Sequence, residues 1–397
     1  MLYYLEKQKI DSVELKSLLI SKGVSVANSV YKKMGRDYQL TTNPLMCNRL
    51  LLPDGTVCQL TDLSFHMDLI KQMFSLENLK LIKYMNNMKS PFSIKLIDDK
   101  PTLFYDQQQV CEVSFPQKTD FYSQKTSSGL PFIGNTVIQG KQWVAFQMLW
   151  GCDFGKCGKP CQYCFSGREN ESRAKRGKPD NNPTSQDVRE IVEYAINNAG
   201  CDSVQITGGS TFDYSIEAKY VRDHLKAIKD FPLQETLLYI TPPKDLGLID
   251  EYFEMGATKI ACSLEVWDMD RAKVITPGKI EFTTRKQYLD TLEYISNKHG
   301  NGKAFSNFII GLESLETLQE GVNYLAERGI TPTASVWIPF GAPVMDSMKT
   351  PDMDYFRRAK EMFAEAYIKY DLEPPKGEGL NVCIERDIWK YAKGEQK

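Results

Sequence analysis

From residue 142 onward the chain alternates short apolar runs with longer stretches whose apolar residues recur every three or four positions. The first pattern predicts buried strands, the second helices with one buried face. Strands are expected at 143–149, 203–207, 237–240, 259–264, 304–310 and 331–338. Helices are expected at 185–199, 215–229, 246–255, 283–298, 315–328 and 352–370, with Gly256, Gly300 and Gly329 standing where helices stop. Six β/α units in a row imply a parallel sheet with helices outside it. Eight would close a full barrel, so six point to a partial (β/α)6 TIM-like barrel.

Residues 1–140 carry a different rhythm and are expected to form an N-terminal α+β accessory region. Residues 10–33 read as a helix, with Leu15, Leu18, Leu19 and Val24 on one face and Ser12 as its N-cap. Two strand-like runs flank the turn signal Pro53-Asp54-Gly55. A helix is expected at 67–88, then a second hairpin broken at Asp98, Asp99, Lys100 and Pro101, then a connecting loop over 117–140. The expected division is 1–140 accessory, 141–372 barrel and 373–397 a C-terminal tail.

Composition removes some function classes. Among 397 residues, 49 Lys and Arg face 51 Asp and Glu, so neither nucleic acid nor an anionic membrane is indicated as an obligatory partner. No apolar run reaches about 18 residues, which excludes a spanning helix. The charged start, MLYYLEKQKIDSVELK, lacks a signal peptide's apolar centre, so a cytoplasmic location is expected. Ten cysteines in so long a chain do not make a disulfide scaffold and suit a reducing compartment. Cys47, Cys58, Cys111, Cys201, Cys262 and Cys383 are scattered, as buried small apolar residues are, and His66 reads as a surface or satisfied core histidine.

The chemistry concentrates at 150–167, WGCDFGKCGKPCQYCFSG, where Cys157, Cys161 and Cys164 stand as C-x3-C-x2-C. Soft thiolates converging from one loop select zinc, copper(I) or an iron–sulfur cluster. A cluster ordinarily takes four thiolates, so three imply a cubane with one iron lacking a protein ligand. The bland alternative is a non-catalytic four-thiolate site completed by Cys152, although its gap is longer than in zinc knuckles.

The spacing, with the aromatic Tyr163 before the last cysteine, resembles the radical S-adenosylmethionine (SAM) enzymes. That resemblance implies a [4Fe-4S] cluster on Cys157, Cys161 and Cys164, with SAM chelating the open iron. It implies reductive cleavage to methionine and a 5′-deoxyadenosyl radical, with electrons from a donor such as flavodoxin or ferredoxin, and the partial barrel itself. Tyr163 and Phe165 would flank the cofactors.

In such a barrel reactive groups gather at the carboxyl ends of the strands. Thr207-Gly208-Gly209-Ser210-Thr211 follows the second strand, where the family usually has Gly-Gly-Glu at the SAM amino group; here Ser210 replaces the glutamate and the glycines leave the backbone approachable. Glu265, with Ser263 beside it, ends the fourth strand and is the ribose candidate. Arg285 lies in the first turn of the next helix, where a cation opposes the helix dipole, and is a candidate partner of the SAM carboxylate. Gly311 and Pro339 fit the adenine edge, and Trp337 a substrate wall.

The runs TPGKIEFTTRKQYLDTLEYI, FSNFIIGLESLETLQEGVNYLAERGI and VWIPFGAP resemble the biotin synthase group, which includes hydrogenase-maturation and methylornithine synthase enzymes. No second-cluster arrangement supports sulfur insertion. The expected activity is hydrogen abstraction from a small substrate, amino-acid-like among the candidates. The other readings are modification of a peptide or protein recognised by residues 1–140, and the four-Cys metal-binding protein. No catalytic residue is named, and the residues leave open the substrate and whether SAM is consumed.

Overall fold

The computed structural model describes residues 1–5, 7–34, 48–60, 90–115, 120–132, 135–139, 142–149, 151–164, 183–338, 343–345, 347–377 and 382–395. The expected helix at 67–88, His66, Cys47, Phe165 and Pro339 lie outside the described residues.

The N-terminal region opens with a hairpin of β1 (Leu2–Leu5) and β2 (Gln8–Asp11) leading into α1 (Ser12–Lys22). The expected continuous helix over 10–33 is two: α1 stops before Gly23, β3 (Ser25–Val26) intervenes, and α2 (Asn28–Met34) follows. The N-cap is Asp11, not Ser12, because Asp11 and Glu14 form a reciprocal capping box. The hairpin expected around Pro53–Gly55 is β4 (Asn48–Leu51) with β5 (Val57–Leu60). β6 (Phe92–Ile97), β7 (Lys100–Tyr105) and β8 (Gln108–Glu112) join β3 in a four-stranded sheet. The break between β6 and β7 is only Asp98-Asp99, both at positive φ, so Lys100 and Pro101 lie in the strand rather than in the turn.

The larger sheet has seven strands in the order β15-β14-β13-β12-β11-β10-β9. β9 (Thr136–Gln139) pairs antiparallel at one edge with β10 (Trp143–Leu149). The other five, β11 (Ser203–Gly208), β12 (Glu235–Tyr239), β13 (Lys259–Ala261), β14 (Ala304–Ile310) and β15 (Thr331–Val336), run parallel with β10 in sequential order. The fold is therefore α/β, a curled half barrel of six β/α units carrying an antiparallel edge strand.

The helices follow their periodicity closely. After the short α3 (Asp153–Lys156) come α4 (Ser185–Ala199), α5 (Tyr214–Ile228), α6 (Gly247–Glu254), α7 (Met269–Ile275), α8 (Arg285–His299), α9 (Leu315–Ala326), α10 (Met353–Lys369) and α11 (Glu385–Ala392). α7 and α11 were not expected; both are short, and 270–275 mixes charges with few apolar residues. β13 is three residues rather than six, because the chain turns sharply before Glu265, which sits at φ 73°.

Alternation sorts the strand side chains. Val144, Phe146, Val204, Ile206, Leu238, Ile260, Phe308, Ile310, Ala334 and Val336 join the core under the helices. The opposite face looks into the barrel, where Trp143, Leu237, Ala261 and Phe305 pack as an apolar floor. Helix α1 is buried on nearly all sides, docks on α10 and reaches α11 through one ion pair. Its completely buried Lys16 pairs with Asp387 at 2.6 Å, and Lys360 donates to Glu14 at 2.9 Å. The segment before α11 lies beside β15, with Val336 N–H donating to Val382 O (3.0 Å) and Ile384 N–H to Ala334 O (2.9 Å). Among the described residues no helix is long and apolar enough to cross a membrane.

Candidate active site at the carboxyl ends of the strands

The cysteine loop leaves the end of β10 through Gly151 and Cys152, and α3 is its first turn. Neighbouring elements hold it. Asp153 N–H donates to Ser210 O at 2.8 Å, and the Asp153 carboxylate accepts from Phe212 N–H at 2.9 Å. Burial opposes the charge on Asp153, yet the Lys156 ammonium, Phe212 N–H and Thr211 keep its carboxyl below the usual range. On the other side Gln162 N–H donates to Ile275 O (2.8 Å) and Gly278 N–H to Lys159 O (3.2 Å). The loop is clamped between the end of β11 and the segment after α7.

Two glycines make that clamp fit. A Cβ on Gly209 would stand 1.6 Å from Gly151 O; one on Gly278 would stand 2.6 Å from both Lys159 O and Phe154 Cβ. Gly208 is looser, 3.1 Å from Leu149. The Gly-Gly pair thus lets the cysteine loop seat against β11.

Cys161 and Cys164 are adjacent in a tight turn, Cys164 N–H donating to Cys161 O at 3.1 Å, while Cys157 is exposed. Among the described residues no three His, Cys, Asp or Glu side chains are gathered closely enough to hold a metal ion. Burial pushes the Cys161 thiol up to about 12; Lys279 opposes this, and the charges of Cys164, Cys152 and Glu265 add to it. A bound metal would strip such a thiol of its proton outright. The donor set fits an iron–sulfur group in kind, being three soft sulfurs on one short loop. Cys152 is the N-cap of α3 and lies near enough for its charge to act on Cys161.

Tyr163 turns inward to an apolar cluster of Val266, Ile275, Ile309, Leu312, Trp337 and Met345. Burial, then the neighbouring charges of Glu265, Cys161 and Cys164, drive its phenol well above the ordinary value. Trp337 is buried there, and its indole N–H has no hydrogen-bond partner.

Glu265 is the most elaborately held side chain of the site. Its Oε1 lies 3.3 Å from Lys279 Nζ, and its Oε2 accepts from Asn307 Nδ2 at 2.9 Å. Asn307 is held in turn by the Ser335 hydroxyl at 3.0 Å. Ser263 offers its carbonyl to Lys279. Neither Lys279 nor Asn307 was singled out from sequence. Asn307 had a signal, a polar residue at an inward position of an apolar strand; Lys279 had none, because a lysine after Pro-Gly normally reads as solvated.

Arg285 opens α8. Its guanidinium stacks over Trp267 at 4.0 Å, and Nη2 is buried without a hydrogen-bond partner. Burial lowers its pKa, with the Glu313 charge opposing. Glu313 itself accepts from the backbone N–H of Trp267 (2.9 Å) and Asp268 (2.8 Å), which fixes the indole that Arg285 covers. Arg285 follows Thr284, a β-branched residue at φ 66° and a backbone outlier next to a candidate ligand contact. Gly311 has φ 105°, and a Cβ there would stand 2.9 Å from Pro351 Cγ, so this turn requires glycine.

A sequence profile described as the Radical SAM superfamily matches residues 151–325. Among curated proteins, bacteriochlorophyllide c C-7(1)-hydroxylase of Chlorobaculum limnaeum is 26% identical over 285 residues, 67% of this chain and 70% of its own. Among solved structures, methylornithine synthase is similar with a TM-score of 0.45 at 13% identity, over 68% of this chain and 77% of that one. A radical SAM methyltransferase from Sphaerobacter thermophilus has a TM-score of 0.40 at 12% identity, over 77% and 82%. Coproporphyrinogen III oxidase from Escherichia coli, described as a radical SAM enzyme, has a TM-score of 0.37 at 12% identity; 58% of this chain is covered and about half, 53%, of that relative. With the cysteine loop placed at the carboxyl end of the first parallel strand of a half barrel, and the profile spanning that loop and the next four strands, residues 151–325 of the chain form a radical SAM superfamily domain.

Proposed function

We propose that this enzyme cleaves SAM reductively and takes a hydrogen atom from a small molecule held inside the half barrel. Residues 141–372 are the catalytic barrel in this reading and residues 1–140 an accessory region. Cys157, Cys161 and Cys164 hold a [4Fe-4S] cluster, and an external donor such as flavodoxin or ferredoxin supplies electrons. When bound, cluster and SAM together supply a carbon-centred radical; the protein's part is binding, orientation and exclusion of water.

Glu265 accepts from the ribose hydroxyls beside Ser263, and Arg285 pairs with the SAM carboxylate. Gly208, Gly209 and Ser210 face the amino group through their backbone, Gly311 the adenine edge, and Tyr163 the cluster. The apolar cluster around Tyr163, Ile309 and Trp337 keeps water from the space between cluster and barrel.

The observation that carries this reading is a polar relay at the strand ends. The Ser335 hydroxyl donates to Asn307 Oδ1 at 3.0 Å, and Asn307 Nδ2 donates to Glu265 Oε2 at 2.9 Å. Convergent polar groups at the strand-end site suit a small substrate with hydrogen-bonding groups. A second reading rests on the curated relative, whose name specifies hydroxylation of bacteriochlorophyllide c. Its substrate would be a tetrapyrrole admitted from the barrel mouth.

The test is 5′-deoxyadenosine production by anaerobically reconstituted protein with dithionite, across a panel of amino acids, other small polar metabolites and a chlorin. Stimulation by a small metabolite supports the first reading, and stimulation by the chlorin alone the second. A full cluster with no 5′-deoxyadenosine under any condition overturns both.

A further inference from the structure

Lys279 is a cation inside the site that the assignment of cofactor contacts leaves unused. It starts a turn of π-helix, 279–283, that follows Gly278, and Gly278 packs on the backbone of the cysteine loop. From there its side chain reaches back to the end of β13. Its Nζ meets the Ser263 carbonyl and lies 3.3 Å from Glu265 Oε1 and 5.5 Å from the centre of the Tyr288 ring. Lys279 and Glu265 are both nearly buried, with side chains 13% and 14% exposed.

A cation in so dry a place is stable only where anions and carbonyls surround it. Here they come from the end of β13, the Ser263 carbonyl and the Glu265 carboxylate, with the face of the Tyr288 ring beside them. Glu265 adds a second sign of constraint, since it is a non-glycine residue at φ 73°. Such a backbone persists only where its surroundings overdetermine it. Asn307 holds one carboxylate oxygen and Lys279 the other, so the carboxylate plane is set from both sides.

We propose that Lys279 is a positioning residue that locks Glu265 in the orientation that receives the SAM ribose. This inference rests on Glu265 facing SAM, as in the function proposed above.

The experiment uses anaerobically reconstituted full-length protein: wild type, Lys279→Met, Lys279→Arg, Glu265→Gln and the Lys279→Met/Glu265→Gln double variant. SAM affinity is read by equilibrium dialysis. Glu265→Gln and Lys279→Met should each weaken SAM binding about tenfold, the scale of one charge-assisted hydrogen bond. The double variant should be no weaker than the worse single one, and Lys279→Arg should restore binding. Should Lys279→Met fail to fold, Lys279→Gln keeps a donor for the Ser263 carbonyl and removes only the charge. Unchanged SAM binding in Glu265→Gln overturns the ribose assignment. A tenfold loss in Glu265→Gln with none in Lys279→Met, or additive losses in the double variant, overturns the role of Lys279 alone.

Discussion

Gly209 lies so close to Gly151 that a Cβ on it would stand 1.6 Å from the Gly151 carbonyl oxygen. That oxygen is backbone and cannot swing aside, so any side chain at 209 must push the start of the cysteine loop off β11. Gly209→Ala should cost about 1–3 kcal/mol, as overpacking of a close contact does. It should also reduce iron retained after reconstitution, because the displaced segment leads directly into the cysteines. Gly208→Ala meets only a 3.1 Å approach to Leu149 and should be milder. Thermal unfolding midpoints and iron assays of the two variants decide this; equal behaviour would show that the clamp is not what seats the loop.

The fourth thiol near the loop sets a sharper contrast. Cys161→Ala should abolish both the brown chromophore and 5′-deoxyadenosine formation. Cys152→Ala should keep both, because an open iron needs no fourth protein sulfur. Loss of iron in Cys152→Ala to the same degree as in Cys161→Ala would instead indicate a closed four-thiolate site.

Helix α5 carries two buried groups that titrate in opposite senses. Desolvation pushes Glu217 up to about 8 although Thr241 donates to it through backbone and hydroxyl, and desolvation pushes His224 down to about 4. A carboxyl raised on folding stabilises below its unfolded value near 4.5, and that contribution is lost as pH rises through about 8. A lowered histidine contributes above its unfolded value near 6.5 and loses that contribution as pH falls toward 4. Urea unfolding from pH 5 to 8 should show the parent losing stability on the order of 3 kcal/mol relative to Glu217→Gln. Parallel profiles would mean that Glu217 is ionised in the folded protein throughout.

The N-terminal region and the C-terminal helix share buried charge. Lys16 on α1 is fully buried against Asp387 of α11. Lys16→Met leaves that carboxylate buried beside Glu385, whose carboxyl burial already pushes up to about 7, and should cost about 3–5 kcal/mol. Lys16→Met with Asp387→Leu should recover much of the loss. Chemical denaturation of the single and double variants measures the coupling, and additive losses would mean that the two residues act independently.

The strands and helices of the barrel were legible because each satisfies a local rule. Trp143–Leu149 and Ala304–Ile310 are apolar runs too short for helices, and Ser185–Ala199 has its cap, its period and its terminal glycine, so observed and expected bounds coincide. The helix expected over 10–33 failed because periodicity alone does not register a two-residue strand after Gly23. α11 went unseen because its eight residues are mostly charged and aromatic, and the reason to bury them lies in α1 and α10.

By itself the sequence determined the alternation of strands and helices, the three-cysteine loop and the resemblance to the radical SAM enzymes, because those depend on residue type and spacing along the chain. Only the tertiary structure decided that Gly209 and Gly278 are where the loop is gripped, that Arg285 lies over Trp267, and that Lys279 reaches back to Ser263 and Glu265. Those relationships join residues 14 to about 120 positions apart, and a charge or a missing Cβ acts through distance in space, to which no local pattern in the chain is sensitive.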